Sequence, residues 1–162
     1  MRYFEINGGE ITSISLVKVP AITRYFSINE DLRQIVAPVI IPDLPIYRYE
    51  PIDGIEPEEF YVIWTEVGIK RVVRDFYLKG GNIFTLYHNN RLQTDSDINL
   101  YGLWVINRKL GIMPPEGYDL PDYTLMGNVE ILDDDLWQLI KRGEFNGFSV
   151  EGEFDVKEIM EV

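Results

Sequence analysis

Hydrophobic positions along this chain recur mostly at every second residue, the spacing of strands that bury one face. Arg2–Ile6 and Ile11–Val17 alternate in this way on either side of Asn7-Gly8-Gly9. That triplet is rich in turn formers, so the pair predicts a hairpin. Gln34–Ile41 is almost continuously apolar, and Pro38 inside it predicts an edge or a bulge, because proline cannot donate to a ladder. Ile46–Glu50 and Glu59–Trp64 are rich in Tyr, Phe and Val. Ile83–His88, Ile98–Asn107, Tyr123–Ile131 and Phe145–Phe154 complete a set of about nine strands. Pro51–Glu59 and Gly111–Pro121 hold prolines and turn residues and are expected as loops.

The spacing changes twice. From Glu66 to Lys79 the apolar residues Ile69, Val72, Val73, Phe76 and Tyr77 follow a helical stripe, with Thr65 as N-cap and Gly80-Gly81 as the stop. From Asp134 to Arg142 an acidic start and a basic end suit the helix dipole, and Leu136, Leu139 and Ile140 form the inner face. The expected fold is therefore β-rich α+β, a single domain over residues 1–162. Its strands are expected to form a mostly antiparallel β-barrel, closed or nearly so, with two main helices packed outside.

Composition narrows the chemistry. The 162 residues include no Cys and one His. This removes disulfide frameworks, thiol nucleophiles, Cys-based zinc or iron–sulfur sites, and catalytic zinc sites that need several imidazoles. With 15 Lys+Arg against 27 Asp+Glu the net charge is -12, which argues against sequence-independent nucleic-acid binding. No apolar run approaches ~18 residues and the N-terminus lacks a signal-peptide core, so a soluble intracellular protein without membrane contact is expected.

Most short motifs dissolve on inspection. Ser15-Leu16-Val17-Lys18 matches Ser-x-x-Lys, but no Lys-Thr-Gly accompanies it and it falls on an alternating strand. Asp95-Ser96-Asp97-Ile98-Asn99 opens like an EF-hand loop, but Leu100 and Ile106 stand where Gly and Glu are required. Asp133–Asp135 is accounted for by helix N-capping. There is no glycine-rich phosphate loop, so no nucleotide, metal or other cofactor is expected.

Two features carry more. In Phe145-Asn146-Gly147-Phe148-Ser149-Val150-Glu151-Gly152, strand alternation sets Phe148, Val150 and Phe154 on one face and Ser149, Glu151 and Glu153 on the other. Gly147 and Gly152 mark places where another backbone or a substrate comes close. His88 closes the predicted strand Ile83–His88, on the same face as Phe84 and Leu86, and its ordinary pKa of ~6.5 suits a general base near neutral pH. It is the one imidazole in the chain able to activate a hydroxyl.

Taken in order, Ile14–Ile22, Gln34–Arg48, Phe60–Gly80, Leu86–Asn89, the strand holding Trp104, and Thr124–Gly152 with its GFSVEG block resemble a known family. They are similar to the prohead (procapsid) maturation serine proteases of tailed bacteriophages, of the type carried by prophage-like elements. The resemblance spans roughly residues 13–152. It implies the β-barrel of herpesvirus assemblins and related procapsid proteases, with Ser149 as nucleophile and His88 as the base that takes and returns its proton. A serine hydroxyl attacks a peptide carbonyl poorly at pH 7 without such a base, and the oxyanion then needs aimed donors.

The third catalytic position stays open. Assemblins use a second His there, and phage relatives an acid. In the family pattern a Glu precedes the Trp of the Trp104 strand, where this chain has Tyr101, Gly102 and Leu103. Glu151, Asp95, Asp97 or a bare Ser–His dyad remain. Ile28-Asn29-Glu30 and Ile159-Met160-Glu161 fit the specificity of some relatives, no more often than chance supplies.

The resemblance also implies scaffold protein and major capsid protein as substrates, self-cleavage and homo-oligomerisation. The setting would be the assembling prohead in the host cytoplasm. The rival expectation is a non-catalytic β-barrel that builds or scaffolds the virion, since fold alone does not fix function.

Overall fold

The computed structural model describes residues 1–18, 20, 26–80, 84–86 and 97–160. In chain order its elements are β1 (Arg2–Val17), β2 (Ser27–Asn29), β3 (Gln34–Ile40), β4 (Ile46–Glu50), β5 (Glu58–Trp64), α1 (Glu66–Leu78), β6 (Phe84–Leu86), β7 (Ile98–Val105), β8 (Leu125–Ile131), α2 (Asp134–Lys141) and β9 (Gly147–Ile159). The fold is thus β-rich with two helices, and the described strands form two sheets. One has the order β2-β3-β8-β7; in the other, β4, β5, β1, β6 and β9 gather around β1.

The long strand β1 organises the second sheet. The antiparallel β9 accompanies it from Tyr3↔Ile159 to Val17↔Gly147, while β5 pairs with Arg2–Ile6 and β6 with Ile14–Leu16. Because β9 takes one edge of β1 throughout, β5 and β6 share the other edge end to end. Both of these pair parallel to β1, a feature absent from the alternation pattern; the other pairings are antiparallel.

One expectation needs correction. Asn7-Gly8-Gly9 is not a hairpin turn: both flanking segments belong to one strand, which bulges between Ile6 and Gly9 and again between Ile11 and Ser13. The glycines serve the bulge. Gly9 has φ of 119°, and a Cβ there would overlap the Glu153 carbonyl oxygen. Among the described residues no ladder joins the two sheets, so a closed barrel is not found. Pro38 sits where a bulge was expected, at the register shift between Pro38 and Ile40.

One apolar core binds both sheets and both helices. Ile14, Leu16, Ile35, Val72, Leu125, Val129 and Ile131 are fully buried in it, with Trp137 and Phe148 close behind. Tyr77 of α1 ties the helix to β7: its hydroxyl donates to the Leu103 carbonyl (2.9 Å) and accepts the Leu103 N–H (3.0 Å).

The start of α1 follows from Thr65. Its Oγ1 accepts the Gly68 N–H (3.0 Å) and donates to Asn7 Oδ1 (2.9 Å), fixing the helix against the first bulge of β1. Gly68 has no side chain to hold helix and strand apart; a Cβ there would overlap the Ile6 carbonyl oxygen. Thr65→Ala is expected to cost about 1–2 kcal/mol, read as a lowered denaturation midpoint at constant m-value.

At the start of β1, Arg2 holds β9 in place. Its Nε and Nη2 donate to the two oxygens of Glu158 at 2.8 and 2.9 Å, and Nη1 donates to Asp53 at 3.0 Å. The hydrogen bonds to Arg2 keep the Glu158 carboxyl below its usual range. A depressed folded pKa stabilises above the unfolded pKa of about 4.3, and the gain is lost as pH falls through the folded value. Relative to Glu158→Gln, the wild type should therefore be more stable at neutral pH. The two melting curves should converge as the pH drops below about 4. Because the pair is solvent-facing, added salt should shrink the difference.

Candidate functional site

Phe148 sets the geometry around Ser149. Its ring is buried against the core, meets Phe26 at 5.3 Å between centroids, and passes over Gly127 of β8, where a Cβ would stand 3.3 Å from the ring. The pleat of β9 then turns the next side chain to the opposite face. Ser149 is half-buried there, and its hydroxyl has no hydrogen-bond partner among the described residues. The alternation expected for this block holds: Phe148 and Val150 pair with Leu16 and Ile14, and Ser149 and Glu151 pair with Ser15 and Ser13.

The resulting face is a row of small polar residues. Ser149 lies opposite Ser15, and Ser15 in turn lies opposite Thr85 of β6. Ser13 and Ser15 are buried, whereas Glu151 on β9 is exposed. The Ser13 hydroxyl donates to Glu151 Oε2 at 3.5 Å, and Thr12, extruded at the second bulge, donates to the Glu151 carbonyl at 3.0 Å. Both contacts fix Glu151 beside Ser149 on the same face.

The predicted site residues fare differently. Ser149 and Glu151 are together. His88 and Asp95 lie outside the described residues. Asp97 sits at the start of β7, where its carbonyl accepts the Leu132 and Asp133 N–H groups. Leu132 is five residues beyond Gly127, about 16 Å along the strand direction from the residue that Phe148 crosses. Ser15, the serine of the Ser-x-x-Lys match, is fully buried in mid-sheet. Asp133 caps α2, accepting the Leu136 N–H at 2.7 Å.

A cavity of about 470 Å³ opens on the other face of β9 from Ser149. Phe4, Phe60, Trp64 and Phe154 line it, with Arg48 and Glu50 among them. Burial against these groups lowers the Arg48 pKa, and nearby Glu50 partly opposes this. The sequence did carry a signal for the cavity. Alternation in β4 puts Arg48 on the same face as buried Ile46, an unusual place for a cation.

No helix among the described residues is long and apolar enough to cross a membrane, and no His, Asp and Glu among them cluster as metal ligands. Comparison of the chain with protein-family models, with curated proteins and with solved structures finds no significant match.

Proposed function

We propose that this protein is a serine endopeptidase of the procapsid-maturation type, with Ser149 as nucleophile and His88 as general base. Its substrates would be phage scaffold and capsid-protein segments, and its own chain, inside the assembling head in the host cytoplasm. The two sheets would then correspond to the barrel of the assemblin-like proteases, and self-association would bring enzyme and substrate together.

The observation that supports this reading most is the register of three strands. Ser149, Ser15 and Thr85 stand in one row, and His88 follows Thr85 by three residues in the sequence. Two strand spacings, about 10 Å, separate β6 from β9. The strand between them presents only the small Ser15 at that position, but alternation continued along β6 would carry His88 to the side of Phe84 and Leu86, away from Ser149, so the pairing requires the chain to leave the strand between Leu86 and His88. Glu151, held by Ser13, is the acid beside the nucleophile, so it replaces the open third position as the first residue to test. The rival reading, a non-catalytic structural or scaffold protein, draws on the cavity lying across β9 from Ser149 rather than beside it.

A fluorophosphonate separates the two, because only an activated serine displaces its fluoride. Peptide mapping should find one adduct, on Ser149, and the labelling rate should fall steeply in His88→Ala. An unlabelled Ser149 in folded protein would favour the structural reading.

A further inference from the structure

The free edge of β9 carries a charge order that matches its own reverse. Among the described residues β9 hydrogen-bonds only to β1, so its second edge has no strand partner there. Asp155, Val156, Lys157 and Glu158 are exposed along it, with Val156 58% accessible. Neither Asp155 nor Lys157 makes an ion pair with another described residue.

Proteins commonly guard an open edge with charges that repel an incoming strand. Here the charges do the reverse. When two copies of β9 meet antiparallel about a two-fold axis at Val156, Asp155 of each faces Lys157 of the other. The axis sets Val156 against Val156, and isologous pairing repeats the complementary contact twice. Glu5 lies across from Lys157 on the β1 side, so the row runs Glu5, Lys157, Asp155 of the second copy, with alternating sign. Val156 also borders the cavity that Phe4, Phe60, Trp64 and Phe154 line, so pairing would extend the sheet face that carries these rings.

We propose that the protein forms a two-fold dimer in which β9 pairs edge to edge with β9 of a second copy, in the register centred on Val156. The interface is independent of the Ser149 reading and would exist whether or not the chain is a protease.

Charge reversal tests both the edge and the register. Analytical ultracentrifugation near 0.15 M salt should show a concentration-dependent dimer for the wild type. Asp155→Lys and Lys157→Asp should each weaken it at least tenfold, since each sets like charges opposite one another. The double variant D155K/K157D should restore the dimer, and mixing the two single variants should give a heterodimer. A monomeric wild type, a dimer indifferent to the single reversals, or a larger assembly with the edge untouched would overturn the proposal. Hydrogen exchange keeps the test decisive should a variant fail to fold. Amides of residues 154–158 in the wild type should gain protection with rising concentration, and unchanged protection would count against the interface.

Discussion

Ser149→Ala is expected to abolish peptide-bond cleavage, lowering kcat/KM by about 10⁴-fold or more. That factor corresponds to about 5.5 kcal/mol of transition-state stabilisation, which hydrogen bonding and packing changes at a half-buried serine cannot mimic. The substitution removes one oxygen from a side chain without a described hydrogen-bond partner, so the fold should be unaffected and the circular dichroism spectrum unchanged. His88→Ala should lose activity to a similar degree. The double variant should be no worse than either single one, because nucleophile and base act as a unit. Glu151→Gln should cost less, and would separate an orienting carboxylate from a bystander through the pH profile: only an orienting role should shift the His88-dependent limb. Additive losses in the double variant would sink the pairing of Ser149 with His88.

The second large effect is structural. Gly152→Ala places a Cβ onto the Glu10 carbonyl oxygen and within 2.8 Å of the Phe154 ring. The ring can swing, but the carbonyl belongs to the β1 backbone beside a bulge, so β1 and β9 must part locally. A loss of about 2–4 kcal/mol is expected, a fall in Tm of roughly 5–15 °C for a domain of this size. Gly54→Ala is the control: a Cβ there meets nothing within 4 Å, and its Tm should barely move. Thermal unfolding followed by circular dichroism measures both. Equal behaviour of the two variants would mean that β1 and β9 are not as closely apposed at Gly152 as described.

Local patterning carried much of this architecture. Both helices start where their caps, Thr65 and Asp133, were readable from side-chain chemistry, and β8 alternates in burial over its second half, from Gly127 to Ile131. What was hidden depends on pairing between distant segments. Asn7-Gly8-Gly9 has the composition of a turn, yet the partner that makes it a bulge, β9, lies some 145 residues further on. The sharing of one β1 edge by β5 and β6 is equally invisible, since no residue type encodes which strands adjoin. β2 escaped notice because its three residues are all exposed and so show no alternation.

The candidate site divides along the same line. The face assignment of Ser149 and Glu151 follows from period-two alternation within one strand. The Ser13–Glu151 contact required the register of β1 against β9, including its second bulge. Closure into a barrel was inferred from strand count, and strand count does not determine which sheet edges meet.

Proteolysis by Ser149 is tested most directly by intact-mass spectrometry of this protein co-expressed with the scaffold and major capsid proteins, as wild type and as Ser149→Ala. With Ser149 as nucleophile, new termini should appear on scaffold, capsid protein and the chain itself only where Ser149 is present. Uncut, identical masses in both, from particles that assemble, would contradict it and assign the protein a structural part in the head.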